Sequence, residues 1–234
     1  ALLWAICGTA SILGTTMFIQ FLIEDKSTEI LIHRIMPKIM TKYSLTSDVL
    51  QYTCKSFKGI GRLKTNGNIV ERKSGHLLND LPAYLQGFDK KLYQMPQSLI
   101  IVVLDNDKRD TRDFLAQLEK TAQSVKTPHV FCLAIKEMEA WLLGDPDAII
   151  AAYPNAKLNL LNKYEQDAIC DTWQLLAEIV YKGGLKALKK CESYSEIGKA
   201  KSEWADHIGQ YLCLERNKSS SFQNLIHCIS DFLL

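Results

Sequence analysis

Residues 99–110 read LIIVVLDNDKRD. Six apolar residues, all leucine or β-branched, run without interruption into Asp105, Asp107 and Asp110, with Lys108 and Arg109 before the last acid. A continuous apolar run of this length fits a strand buried on both faces, as in a parallel sheet covered by helices. The strand therefore ends in a cluster of like charge.

Two other stretches have the same form. The apolar run 18–23 leads into Glu24, and the run 129–135 leads into Lys136, Glu137, Met138 and Glu139. Helical spacing follows the first run. Ile30, Leu31, Ile35, Ile39 and Met40 recur on one face, Ser27 or Thr28 is placed to cap the helix, and Glu29 sits in its first turn. Pro37 is expected to kink or shorten that helix. Leu77, Leu78, Leu81, Leu85 and Phe88 mark a second helix, and residues 111–124 a third, with Phe114, Leu115 and Leu118 on its apolar side. Beyond residue 140 the pattern is mainly helical, with turns at Gly144-Asp145-Pro146, Lys182-Gly183-Gly184 and residues 217–221.

Strands alternating with helices predict an α/β fold: a parallel sheet flanked by helices, with a mainly helical C-terminal part. The organisation reads as an apolar leader over residues 1–16, an α/β core over 17–150 with a basic insertion near 55–75, and a helical region over 151–234 packed on the core. Met17 reads as a natural start. Residues 1–23 carry no charge, yet Gly8, Gly14 and Gln20 interrupt them and no basic cluster flanks them, so no membrane span is expected. The seven cysteines include no CxxC pair, which argues against a zinc site or a disulfide scaffold and for free thiols in a cytoplasmic protein. A net charge of +2 leaves any contact with a polyanion to local basic patches. The sequence sets no oligomeric state.

In a parallel sheet, ligands bind beyond the carboxyl ends of the strands. Glu24, Asp105, Asp107, Glu137 and Glu139 all follow predicted strands, so the fold gathers them at one rim. Carboxylates held together raise one another's pKa, and a hard divalent cation relieves that conflict. Asp105 and Asp107, as alternate residues of a strand end, would point the same way and grip one ion or two. Two such ions can hold the attacking and leaving oxygens of a phosphodiester in line. The plainer alternatives are helix N-terminal charges for Glu24, Glu137 and Glu139, and a turn or cap for Asp105. Trp141 reads as core packing, and His76 as a cap or surface residue.

FLIEDKSTE resembles the first Toprim motif, and IVVLDNDKRD the second. Together with GHLLNDLPAYLQGF, AIKEMEAWLLGD and NKSSSF, the ordered set resembles a bacterial Toprim-like family related in kind to the nucleases of OLD-type and other phage-defence systems. That resemblance spans residues 17–234. It implies Glu24 as the first-motif acid, Asp105 and Asp107 as a Mg2+ (or Mn2+) pair, and Glu139, beside Glu137, as a further acid. It implies nucleic acid, DNA or RNA, as substrate and an AAA-type ATPase as partner in anti-phage defence. The chain has no GxxxxGK[ST], so ATP hydrolysis would belong to that partner. Asp25 stands where Toprim proteins usually carry glycine, and no glycine follows the Asp-x-Asp pair. These departures favour a second reading, a non-catalytic adaptor or regulatory subunit of an ATPase. A small-molecule phosphotransferase of DxDx[TV] type fits least, because DNDKR lacks the hydroxyl or β-branched residue.

Two basic patches are candidate backbone contacts: Lys55, Lys58, Arg62, Lys64, Arg72 and Lys73 in the loop region, and Lys182, Lys186, Lys189 and Lys190 on one predicted helical face. The hydroxyls of NKSSSF either cap the last helix or meet a phosphate.

Overall fold

The computed structural model describes residues 16–61, 75–190 and 194–234. Strand β1 (Met17–Ile23) is followed by α1 (Lys26–Lys42), β2 (Leu50–Ser56), α2 (Leu77–Leu92), β3 (Ser98–Asp105), α3 (Thr111–Thr121) and β4 (His129–Ala134). Helices complete the described chain: α4 (Glu139–Leu143), α5 (Pro146–Ala152), α6 (Leu158–Leu161), α7 (Thr172–Val180), α8 (Gly184–Lys189), α9 (Tyr194–Tyr211) and α10 (Ser220–Leu233). The four strands form one parallel sheet in the order β2-β1-β3-β4. The chain is an α/β protein with a helical C-terminal part.

Alternation along each strand divides the core. Ile19, Phe21, Ile23, Ile101, Val103, Cys132 and Ala134 face one side, where α1 and the C-terminal helices pack. Leu22, Ile100, Val102, Leu104, Phe131 and Leu133 face the other, with α2 and α3. The crossover from β1 to β2 runs one way across the sheet and uses the first face. Those from β2 to β3 and from β3 to β4 run the opposite way and use the second. A single crossover hand requires this division. The direction reverses between β1 and β3, which is where an open α/β sheet offers its ligand crevice.

The strand β2 breaks the sequence expectation, which assigned no strand before the basic loop. It is an edge strand, and its half-buried positions alternate with exposed Gln51, Thr53 and Lys55, so it lacks the continuous apolar run of its neighbours. Pro37 lies inside α1, which continues to Lys42, and the cap is Asp25, not Ser27 or Thr28. The Asp25 carboxylate accepts from the Thr28 N–H at 2.8 Å and from the Ser27 hydroxyl at 2.9 Å. Residues 1–15, the bulk of the expected leader, lie outside the described residues. Among the described residues no helix is long and apolar enough to cross a membrane. The five described cysteines are free thiols.

Candidate functional site

The register aligns the strand ends at the direction reversal. Ile23 of β1 pairs with Val103 of β3, and the Glu24 N–H continues the ladder to the Val103 carbonyl at 3.1 Å. On the other flank Asp105 pairs with Ala134, and the Asn106 N–H donates to the Ala134 carbonyl at 2.9 Å. Glu24, Asp105 and the start of α4 therefore stand at one height on the rim.

The side chains turn toward one another. Glu24 Oε2 accepts from the Asp105 N–H at 2.9 Å. Burial pushes the Glu24 carboxyl from 4.5 up to about 7; that hydrogen bond and Lys201 oppose the rise, and Asp25 and Asp107 add to it. Asp105 Oδ1 accepts from the Met138 N–H at 2.9 Å, which ties β3 to the start of α4. Burial, then Glu24, hold the Asp105 carboxyl well above its usual range, with Glu139 and Asp25 adding to the effect. Glu139, the first residue of α4, is 0% exposed, and neither of its oxygens accepts a well-directed hydrogen bond. Among the described residues its close partner is Lys201 of α9, whose Nζ lies 3.1 Å from Glu139 Oε1. Burial pushes Glu139 up to about 7 despite that cation.

Lys201 is the group that sequence reasoning missed. Burial pulls its ammonium down, but Glu139, Asp105 and Asp25 outweigh this and hold it above the usual lysine range. Its charge also acts on Glu24. One ammonium thus faces four carboxylates. No spacing signal links residue 201 to residue 139; only the packing of α9 against α4 and α1 brings it to the rim.

Asp107 is placed differently from the expectation. It follows the end of β3 in a turn with φ +50°, so strand alternation no longer orients it alongside Asp105. Its Oδ2 pairs with Arg109 Nη1 at 2.8 Å, and it acts on Glu24 only through its charge. Its N–H donates to the carbonyl of Lys136, itself at φ +71°, at 2.7 Å. Two non-glycine residues in left-handed conformations thus bracket the rim, a strain that proteins retain mostly at functional sites.

Glu137 adds its charge to Glu139 and also caps a helix with one oxygen. Its Oε2 accepts from the Thr172 hydroxyl at 2.8 Å and the Trp173 N–H at 3.1 Å, capping α7. That helix needs the help, because Asp171 at its N-cap has φ +60° and makes no side-chain cap.

The basic residues divide. Lys58 is exposed on the loop after β2, where the neighbouring Gly59 N–H donates to the Glu24 carbonyl at 2.9 Å. Arg62 and Lys64, with Arg72 and Lys73, lie outside the described residues. Lys186 and Lys189 are exposed on α8 and Lys190 follows at its C-cap, but Lys182 sits in the turn before it, off the helical face predicted for all four. Lys189 Nζ donates to Gln174 Oε1 at 2.9 Å and lies 5.8 Å from the centre of the Trp173 ring. Since Trp173 and Thr172 bind Glu137, this basic surface adjoins the acidic rim.

EMEAWLLGD and NKSSSF brace each other behind the site. Trp141 is fully buried, its Nε1–H donates to Ser221 Oγ at 2.8 Å, and its ring packs edge-on against Phe222. Asn217 Nδ2 donates to the Trp141 carbonyl at 2.7 Å, and the Lys218 N–H to the Gly144 carbonyl at 2.8 Å. Gly144 has no room for a side chain, because a Cβ there would collide with Asn217 Oδ1. Buried Asp145 takes both arms of Arg216, at 2.7 and 3.0 Å. Ser219 caps α10, and Ser221 Oγ also accepts from the Ile135 N–H at 3.1 Å. Ser219 and Ser221 are therefore buried structural partners, not phosphate contacts. His76 stands at the N-cap of α2.

Among the described residues no three acidic, histidine or cysteine side chains stand at a spacing ready to hold a metal ion. The chemistry of the set nonetheless fits a hard cation. Every candidate donor is a carboxylate oxygen, both Glu139 oxygens lack a hydrogen bond, and Mg2+ commonly takes only one or two carboxylates and fills its shell with water and phosphate.

Residues 23–228 match a family described as a domain of unknown function, DUF4276. The chain belongs to the DUF4276 family. The match begins one residue before Glu24 and includes every acid of the rim, Lys201, and both bracing motifs. No curated protein and no solved structure matches this DUF4276 chain.

Proposed function

We propose that this protein is a Toprim-like, Mg2+- or Mn2+-dependent nuclease that hydrolyses nucleic-acid phosphodiesters. By the resemblance of its motifs, it would be the effector of an anti-phage system with an AAA-type ATPase as partner. The observation that carries the reading is the gathering of half-buried Glu24 and Asp105 beside fully buried Glu139 at the point where the crossovers reverse. Drawing three acids together partly out of water opposes folding, and proteins keep such arrangements chiefly where a cation or a reaction uses them.

Glu24 and Asp105 would hold the ion, with Glu139 completing the set. When bound, such an ion lowers the pKa of a water and offsets charge on the phosphate. The remaining roles belong to the chain. Lys201 offsets negative charge as it develops on the rim. Arg109 orients Asp107 at the edge. Lys58, Lys186 and Lys189 draw in the nucleic-acid backbone from the two sides of the crevice.

The test gives purified protein, Asp105→Ala and Asp107→Ala DNA and RNA with Mg2+ or Mn2+, with and without the ATPase. Cleavage by the wild type, abolished in Asp105→Ala, is expected. Equal cleavage by all three proteins contradicts the assignment.

One observation favours the second reading, a non-catalytic adaptor or regulatory subunit of an ATPase. Glu139 and Asp107 already have cationic partners in Lys201 and Arg109, so part of the acidic charge is answered within the fold. Calorimetric titration with Mn2+ separates the two: a catalytic site binds the ion, and an adaptor does not.

A further inference from the structure

The apolar side of α2 packs on the sheet, and its outer side has a different character. Its exposed positions are Pro82, Ala83, Gln86, Gly87, Lys90 and Lys91, with no acid among them. Asp89 is half-buried, and its Oδ1 accepts from the N–H groups of Lys126 and Thr127 and from the Thr127 hydroxyl. Ala83, Tyr84, Gly87, Phe88 and Lys91 line an open groove of about 240 Å3. Tyr84, Phe88 and Lys91 recur at helical spacing and form one stripe along the axis.

Rings and ammonium groups alternate along that stripe. The Tyr84 and Phe88 rings lie 6.3 Å apart with a tilt of 30°, and Lys91 Nζ stands 6.0 Å from the Phe88 centroid. Lys55, exposed on β2, places its Nζ 5.9 Å from the Tyr84 centroid and 5.6 Å from that of Phe57. Gln51 and Thr53 share that side of β2 by alternation and are exposed, so α2 leaves the edge strand open beside the stripe. The upper end of the groove adjoins the acidic rim: the Leu77 N–H donates to the Gly59 carbonyl at 3.0 Å, and the Gly59 N–H to the Glu24 carbonyl at 2.9 Å.

An unpaired base offers an apolar face with a phosphate beside it, and a row of rings flanked by lysines matches both. A duplex keeps its base faces inside, and an acidic peptide would use the lysines alone. We propose that this α2 stripe binds single-stranded nucleic acid, with bases stacked on Tyr84 and Phe88 and phosphates at Lys55 and Lys91, and so leads one strand to the rim. The inference rests on the nucleic-acid reading above and deepens it by naming the single-stranded form and the surface that selects it.

The experiment is fluorescence anisotropy of the intact protein with labelled oligothymidylate, oligouridylate and a DNA duplex of equal length. Chelator is present throughout, so binding is read apart from any metal-dependent cleavage. The wild type is expected to bind both single strands more tightly than the duplex. Phe88→Leu keeps an apolar side chain but removes the ring, and should weaken single-strand binding about tenfold with duplex binding unchanged. Gly87→Glu should weaken it at least as much by setting a carboxylate in the groove; a Cβ at Gly87 meets nothing within 4 Å, so the helix accepts the change. A wild type that prefers the duplex, or unchanged single-strand binding in a folded Phe88→Leu or Gly87→Glu protein, overturns this inference alone. Polyglutamate that competes as well as an unlabelled oligonucleotide also overturns it. No binding of any of these nucleic acids overturns the nucleic-acid reading with it. If Phe88→Leu fails to fold, Gly87→Glu decides.

Discussion

Without divalent ions, the protein should lose stability as pH rises from about 5 to about 7. Glu24 and Glu139 both ionise from 4.5 when unfolded but from about 7 when folded. In that window the folded state keeps protons that the unfolded state has released. The stabilisation is therefore complete below 4.5 and is lost as pH climbs through 7. At about 1.4 kcal/mol per pH unit the whole displacement amounts to roughly 3 kcal/mol per carboxyl. The part that falls between pH 5 and 7 is about 2 kcal/mol each, or roughly 4 kcal/mol together. The carboxyls held below their usual range, Glu29, Asp89, Glu178 and Glu215, act at lower pH and stay out of the window. The assay is guanidinium unfolding across this range in chelator, for the wild type, Glu24→Gln and Glu139→Gln. Asp105 and Asp167, also held above their usual range, add to the loss, so each glutamine variant should reduce the slope without abolishing it. Mg2+ at a hundredfold excess over its Kd should restore about 2.7 kcal/mol at pH 7 and far less at pH 5, where protons compete. A flat or rising stability, or a slope unchanged in both variants, would refute the reasoning.

Arg216→Ala strips the two side-chain bonds from buried Asp145 and should lower the thermal unfolding midpoint while Mn2+ binding is unchanged. Glu137→Gln weakens the cap of α7 and should cost about 1 kcal/mol, again without loss of Mn2+ affinity; a loss of affinity would place Glu137 in the ligand set. Replacing Lys186 and Lys189 together by alanine should weaken binding to duplex DNA of every sequence. It should also reduce the salt dependence of log K by about 0.9 for each lysine that touches a phosphate, measured by fluorescence anisotropy.

Three strands were legible because their apolar runs are continuous, and burial on both faces leaves no polar position to obscure them. The edge strand β2 was not, since half its residues face water and its alternation merges with the basic loop behind it. Pro37 reads as a kink or an early end, yet α1 carries it and continues to Lys42. Convergence of Glu24, Asp105 and Glu139 followed from topology, because acids after parallel strands share an end of the sheet. What escaped was every contact made by a distant helix. Lys201 arrives on α9, and Glu137 is captured by the start of α7. Ser221 is claimed by Trp141 and Ile135. The Asp107 turn is not legible because alternation ends with the strand at Asp105, two residues before the left-handed geometry of Asp107.

Mn2+ diffused into a crystal of the protein and located by its anomalous scattering tests the central claim most directly. The account predicts one peak within coordination distance of both Glu24 and Asp105, reduced or absent in Asp105→Ala. A fully occupied peak elsewhere with none at the β1–β3 rim, or no peak at an ion concentration that supports cleavage, would contradict it.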